Sequence, residues 1–89
     1  MRIARTAEDD FKAAVHCHGS AGQLNYSGHW DQDDFATPWY FVHSGSLPPG
    51  GGIGHHRHEH CEEMFVTFDN AAQFTHNGRT VEVEGAACV

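Results

Sequence analysis

The chain is 89 residues long and has few basic residues and no long apolar run. Five Lys and Arg stand against twelve Asp and Glu, so its formal net charge at pH 7 is −7. This sign of charge disfavours nucleic acid and anionic membranes as partners, and neither is predicted. No apolar stretch approaches the roughly 20 residues needed to span a bilayer. The N-terminal sequence MRIARTAEDD lacks the apolar core of a signal peptide, so the expected location is cytoplasmic.

Cysteine is also scarce and odd in number, with Cys17, Cys61 and Cys88 in no CxxC spacing. This pattern argues against a disulfide framework and favours a reducing compartment. A chain of this length forms at most one small domain, which buries a limited fraction of its surface. Ten glycines, short apolar runs and aromatic-rich segments favour β-structure over a helix bundle.

Histidine, in contrast, is concentrated in one segment, where four of the nine histidines fall within six positions: His55, His56, His58 and His60. On an extended strand, the side chains of His56 and His58 point the same way about 7 Å apart, so both can reach one ion. A turn over residues 60–62 would bring Glu63 beside these imidazoles. Two imidazoles and a carboxylate suit Zn, Fe(II), Mn, Ni or Cu. His55 and His60 are interpreted as solvated histidines or as neighbours of the ligands.

The residues around the histidines follow a longer pattern: Gly50, five residues, His56, one residue, His58, four residues, Glu63, six residues, Asn70. This spacing resembles the first motif of the cupin superfamily, G(x)5HxH(x)3–4E(x)6G. Asn70 replaces the final glycine, and Asn tolerates the left-handed conformation, so the turn is expected to survive. The spacing also selects Glu63 over Glu62 as the ligand. An incidental surface histidine cluster, which can bind metal adventitiously, has no reason to carry these intervals.

The resemblance covers roughly residues 39–89 and implies an all-β fold, the cupin double-stranded β-helix or jelly roll. Residues 1–36 are then an N-terminal extension, a short helix or an irregular segment, and residues 37–89 are the N-terminal part of an incomplete barrel domain. It further implies a divalent metal ion (Fe, Mn, Zn or Ni), a small-molecule ligand or substrate, and a homodimer.

The alternation of the strands adds candidate pocket residues. If Glu63 faces the metal, Phe65 and Thr67 line the same pocket. His43 is a further pocket candidate, or merely a strand histidine with a solvated tip.

Cupins carry out many different reactions, so the motif predicts a metal pocket and no particular chemistry. One hypothesis is a metal-dependent enzyme of the oxygenase or isomerase type that acts on a small polar molecule. A second is a non-catalytic module that binds or senses a small ligand. A third is a structural domain with a closed metal site.

Local patterns outside the motif predict further elements. Thr6 to Val15 resembles a short helix with Thr6 as its N-cap, and the CxH pair at Cys17 and His18 falls in a loop and is a weak metal signal by itself. Strands are predicted over Gln23–Tyr26, residues 37–47 and residues 63–68, and a hairpin is predicted whose two strands, residues 73–76 and 80–84, flank Asn77–Gly78. Turns are predicted at Ser27–Gly28 and at Leu47–Gly52 (LPPGGG), where proline restricts the preceding residue and glycine supplies unusual dihedral angles.

The last residues, Gly85 to Val89, resemble the opening of the second cupin motif, G(x)5PxG(x)2H(x)3N. The sequence stops after four of the five spacer residues. Two explanations are open: the sequence is a fragment of a longer reading frame, which is favoured, or a partner chain completes the sheet. The first predicts unpaired strand edges and an exposed apolar face.

Overall fold

The computed structural model describes all 89 residues, of which 39% lie in strands and none in an α-helix. The strands are β1 Lys12–Val15, β2 Gln23–Asp31, β3 Phe41–Ser46, β4 Val66–Thr67, β5 Ala71–His76, β6 Arg79–Glu84 and β7 Ala87–Cys88. They form three separate small sheets and no closed barrel. The all-β class predicted from the sequence is therefore confirmed, and the cupin jelly roll stays a prediction.

The chain divides into two compact units, Met1–His56 and Arg57–Val89. The first unit contains an antiparallel sheet with the strand order β1-β2-β3. The register between β2 and β3 shifts between Gly28 and Trp30, which leaves His29 as the extra residue of a bulge. The division of the chain predicted at residue 36 stays a prediction.

The N-terminal helix predicted over Thr6 to Val15 is wrong. Only Glu8–Asp10 forms a single 3₁₀ turn, and Lys12–Val15 is strand β1, paired with β2. A short helix is marginal in water because its nucleation is costly, so the hydrogen bonds that β2 offers decide the conformation.

The turn predicted at Ser27–Gly28 is also wrong, although the strand predicted before it is present. Ser27 pairs with Ser44, and Gly28 pairs with His43, so β2 continues to Asp31. The partner strand thus overrides the turn preference of the Ser-Gly pair. The next strand, predicted over residues 37–47, is present in a shorter form as Phe41–Ser46.

The second unit contains the predicted hairpin, in which β5 and β6 pair from Ala71↔Glu84 to His76↔Arg79. Asn77 and Gly78 have φ angles of 49° and 76°, so both occupy the left-handed region required by a type I′ turn. The hairpin prediction is therefore confirmed.

The strand predicted over residues 63–68 is much shorter than expected, since only Val66–Thr67 pairs with β7.

No side chain of the chain is fully buried, so the hydrophobic contacts are small and local. Trp30 meets Phe35 edge-on at 6.3 Å between ring centroids, and Phe65 contacts Phe74 at 5.6 Å. Phe68 is 81% exposed. Other large apolar side chains, such as Met64 and Ile3, are exposed as well. No helix has the length and apolar character needed to cross a membrane.

Candidate metal centre

The predicted ligands lie in the segment between β3 and β4, which has no regular secondary structure from residue 51 to residue 58. The expected strand carrying His56 and His58 is therefore absent. The sharp turn predicted before it is present, because the Gly51 N–H donates to the Pro48 carbonyl over 2.8 Å and Gly50 has a φ of 78°. The segment makes close backbone approaches instead of a ladder: a Cβ on Gly51 would lie 2.2 Å from the Gln23 carbonyl oxygen.

The three predicted ligands, which are close in the sequence, nevertheless come together in the structure. One ligand atom each from His56, His58 and Glu63 lie within 4.8 Å of one another. The Nε2 of His58 is 3.3 Å from a carboxylate oxygen of Glu63. The three residues lie within eight consecutive positions of the sequence. The grouping is therefore a property of this eight-residue stretch of chain.

The types of donor atom, and the separation between His58 Nε2 and the Glu63 carboxylate, fit a divalent ion. Bonds of about 2.0–2.2 Å in a tetrahedral arrangement place neighbouring ligand atoms about 3.3 Å apart. The separation of 3.3 Å between His58 and Glu63 matches this value. The other separations within the group are no longer than 4.8 Å. Borderline nitrogen donors with one carboxylate suit Fe, Mn, Zn and Ni alike.

The ring of His56 is oriented by a backbone carbonyl. Its Nδ1 lies 2.8 Å from the carbonyl oxygen of Gly54, which can only accept a hydrogen bond, so Nδ1 carries the proton. The lone pair that a metal requires is then on Nε2. Metal-binding histidines are commonly held in this way by a hydrogen bond from the other ring nitrogen.

The cluster is open to solvent rather than enclosed. The side chains of His58 and Glu63 are 32% and 22% exposed. A partly exposed pair of this kind contributes about 0–1 kcal/mol to the free energy of unfolding, so stability gives little reason for the arrangement. The neighbouring histidines His55 and His60 are exposed, as are Cys61 and Glu62.

The three predicted pocket residues have different surroundings. His43 stacks on Phe41 with 4.4 Å between ring centroids, and it lines a cavity of about 260 Å³ in the first unit. In the second unit, Phe65 packs on Phe74, and the Thr67 hydroxyl donates to the Gly85 carbonyl over 2.6 Å. Their role as a substrate pocket stays a prediction.

Sequence reasoning missed two histidine contacts. His18 stacks on His56 with 4.0 Å between ring centroids and 14° between the ring planes, and only the CxH pair hinted at it. The Nε2 of His29 lies 2.6 Å from the Ser44 hydroxyl oxygen, which in turn accepts a hydrogen bond from Thr6. No pattern announces this second contact, because it depends on the bulge in β2.

Two cavities of the first unit include no residue of the cluster. One, of about 330 Å³, is lined by residues 32–33 and 37–40, and the other lies beside His29 and His43. A metal centre requires converging donor atoms and not an enclosed space.

Comparison with protein-family models, curated proteins and solved structures finds no match to this chain. The cupin interpretation thus rests on the spacing of the motif.

Proposed function

We propose that the chain binds one divalent metal ion through His56, His58 and Glu63, at the centre of a cupin-type domain. The observation that carries the proposal is the approach of these three donors to within 4.8 Å of one another. The intervals of the motif selected the same three residues without reference to any structure. Asn70, which replaces the motif's glycine, has a φ of 56°, and this supports the same interpretation.

The proposed centre is one that a small polar molecule can reach. Three protein donors leave coordination positions open, as in catalytic zinc sites, whereas structural zinc sites are closed by four protein ligands. The partial exposure of His58 and Glu63 supports the open form. A bound ion would supply Lewis acidity or, if redox-active, electron transfer, which are the requirements of isomerase and oxygenase chemistry respectively.

The protein residues contribute the charge and orientation of this centre. Glu63 supplies one negative charge. Nδ1 of His56 donates its proton to the Gly54 carbonyl, so Nε2 carries the lone pair that can bind a metal. The proposed function is a metal-dependent enzyme of the oxygenase or isomerase type that acts on a small polar molecule. The proposed assembly is the homodimer implied by the cupin resemblance.

Metal binding is tested first on protein purified without a histidine tag or chelating resin, by elemental analysis and Zn²⁺ titration. We compare Glu63→Gln with Glu62→Gln, which alters an adjacent, exposed carboxylate. Only Glu63→Gln is expected to weaken binding, by more than the ~10–100-fold that loss of an outer-shell partner costs. Equal affinity in both variants would remove Glu63 from the site.

A second comparison separates a built site from a histidine-rich surface. His58→Ala removes a proposed ligand, whereas the double substitution His55→Ala and His60→Ala removes two exposed histidines outside the group. If the metal is held by specific ligands, the protein loses one equivalent of metal in His58→Ala and none in the double variant. Losses that follow the number of histidines removed would identify adventitious binding.

The alternative of a sensing module is separated from an enzyme by small polar ligands tested on metal-loaded protein. An enzyme converts at least one such molecule to product. A module shows an increase in melting temperature with ligand concentration and no turnover.

A further inference from the structure

A short loop supports the segment that carries His56. This support loop, Cys17–Ser20, is a tight turn in which the Gly19 and Ser20 N–H groups donate to the carbonyls of His16 and Cys17. His16 and His18 have positive φ angles of 55° and 50°, which are unusual for residues other than glycine. The loop thus holds a specific, tightly turned conformation in the first unit.

Three contacts connect the support loop to residues 52–56. The Gly54 N–H donates to the Cys17 carbonyl over 2.9 Å, and the Ser20 hydroxyl donates to the Gly52 carbonyl over 2.8 Å. The third contact is the stacking of the His18 ring on that of His56. Backbone and side chain therefore meet along the same stretch.

The support loop lies so close to this segment that one position of the segment requires glycine. A Cβ built on Gly54 would lie 2.0 Å from the His18 carbonyl oxygen, whereas a Cβ on Gly52 would have its nearest neighbour at 3.9 Å. The requirement at Gly54 therefore follows from the loop. Gly54 is not one of the glycines of the motif spacing.

We propose that the support loop positions the metal centre and that His18 is a positioning residue for His56; this inference rests on the proposed function. The ring of His56 is held at its edge by the Gly54 carbonyl and on its face by His18. The Gly54 peptide is itself held by Cys17. These contacts together restrict the rotation of the ring and hence the direction of its Nε2 lone pair.

The stacking geometry distinguishes a positioning role from a ligand role. The lone pair of an imidazole lies in the plane of its ring. Rings nearly parallel at 14°, with centroids 4.0 Å apart, direct their lone pairs along nearly parallel planes. Such lone pairs do not converge on an ion about 2.0–2.1 Å from both nitrogens. His18 also lies outside the group of converging donors.

The experiment compares His18→Ala, which removes the ring, with His18→Phe, which keeps a flat ring without nitrogens. His55→Ala is the matched control, because it removes an exposed histidine adjacent to His56. Zn²⁺ affinity is measured by competition with a chromophoric chelator. Loss of an outer-shell partner typically weakens metal binding ~10–100-fold, and this is the expected effect of His18→Ala. His18→Phe should recover most of the affinity, and His55→Ala should leave it unchanged.

A second readout is taken on the metal-free protein by NMR. The ¹⁵N shifts of the His56 ring report which nitrogen carries the proton, and a nuclear Overhauser effect between the two rings reports their contact. In His18→Ala, the fraction of His56 with its proton on Nδ1 should fall. The signals of the β1–β2–β3 sheet in the same spectra show whether the first unit, which contains His18, remains folded.

The outcomes separate this inference from the proposed function. If wild-type protein fails to bind Zn²⁺, the proposed function falls, and the positioning role falls with it. If the wild type binds but His18→Ala binds equally well, only the positioning role is overturned. Binding by His18→Phe as weak as that of His18→Ala would also overturn it, because the nitrogens and not the ring face would then be required.

Discussion

The β5–β6 hairpin and the segment from Gly50 to Glu63 are supported in opposite ways. The hairpin pairs six consecutive residues on each strand around a two-residue turn. The other segment contains no strand, and its support loop lies more than thirty residues earlier in the chain, as with Ser20 and Gly52. The difference teaches that the hairpin depends on local turn chemistry, whereas the position of His56 depends on contacts with a distant loop.

Loop closure makes this difference a thermodynamic one. Bringing residues together costs more entropy as the intervening chain lengthens, although the increase is slow. The support loop offsets that cost with two hydrogen bonds and one ring contact, because no buried core assists it. Substitutions in the support loop should therefore alter metal affinity, and substitutions in the hairpin should alter stability alone.

The largest effect is expected from Gly54→Ala. The new methyl group would meet the His18 carbonyl, so the backbone must move and displace the Gly54 carbonyl from His56. We expect a loss of about 1–3 kcal/mol in the free energy of unfolding by urea denaturation, as for overpacking elsewhere. Zn²⁺ affinity should fall more than ~10-fold. Gly52→Ala, whose Cβ would make only an ordinary van der Waals contact with Ser20 at 3.9 Å, is the control and should change neither.

The next largest effect is expected from Gly78→Ala, which tests the hairpin. Gly78 has a φ of 76°, and an L-residue with a Cβ in this region costs about 1–2 kcal/mol. Urea denaturation should show this loss, while Zn²⁺ affinity at low urea stays at the wild-type value. Glu82→Ala, an exposed strand position in the same hairpin, should have little effect. A parallel fall in metal affinity would contradict the separation between the two regions.

A smaller effect is expected from Ser20→Ala in the support loop. The substitution removes the hydrogen bond to the Gly52 carbonyl, worth about 0.5–1.5 kcal/mol, and retains the ring contact of His18. Zn²⁺ affinity should fall less than in His18→Ala. The measurement is a side-by-side chelator competition on both variants. An equal or greater fall in Ser20→Ala would place the support in the hydroxyl and not in the ring.

The smallest effect is expected from Asn70→Gly, which restores the glycine of the motif. Asn70 is already in the left-handed region at a φ of 56°, and its backbone carbonyl bond from the Gly85 N–H is kept. The free energy of unfolding should change by less than ~0.5 kcal/mol. Asn70→Val, whose β-branched side chain disfavours positive φ, should be clearly less stable in the same denaturation series. A similar cost for both would mean that the Asn side chain, not its backbone angle, is needed.

Those features of the chain that follow from single-residue preferences could be predicted from the sequence. The left-handed conformations of Asn70, Asn77 and Gly78 and the turn at Gly50 belong to this class. The spacing of the histidines also indicated the grouping of His56, His58 and Glu63, since a short stretch of chain limits how far apart they can lie. Their role as metal ligands, and the jelly roll around them, stay predictions.

Only the tertiary structure decided which segments pair and what supports the ligands. Strand β1 exists because β2 lies beside it, and the ladder of β2 continues through Ser27 and Gly28 because β3 offers partners. The contact between His18 and His56 joins residues whose spacing follows no local period. A dihedral preference belongs to one residue and is present in the sequence, whereas a pairing partner is chosen by whichever distant segment best satisfies the backbone and the rings.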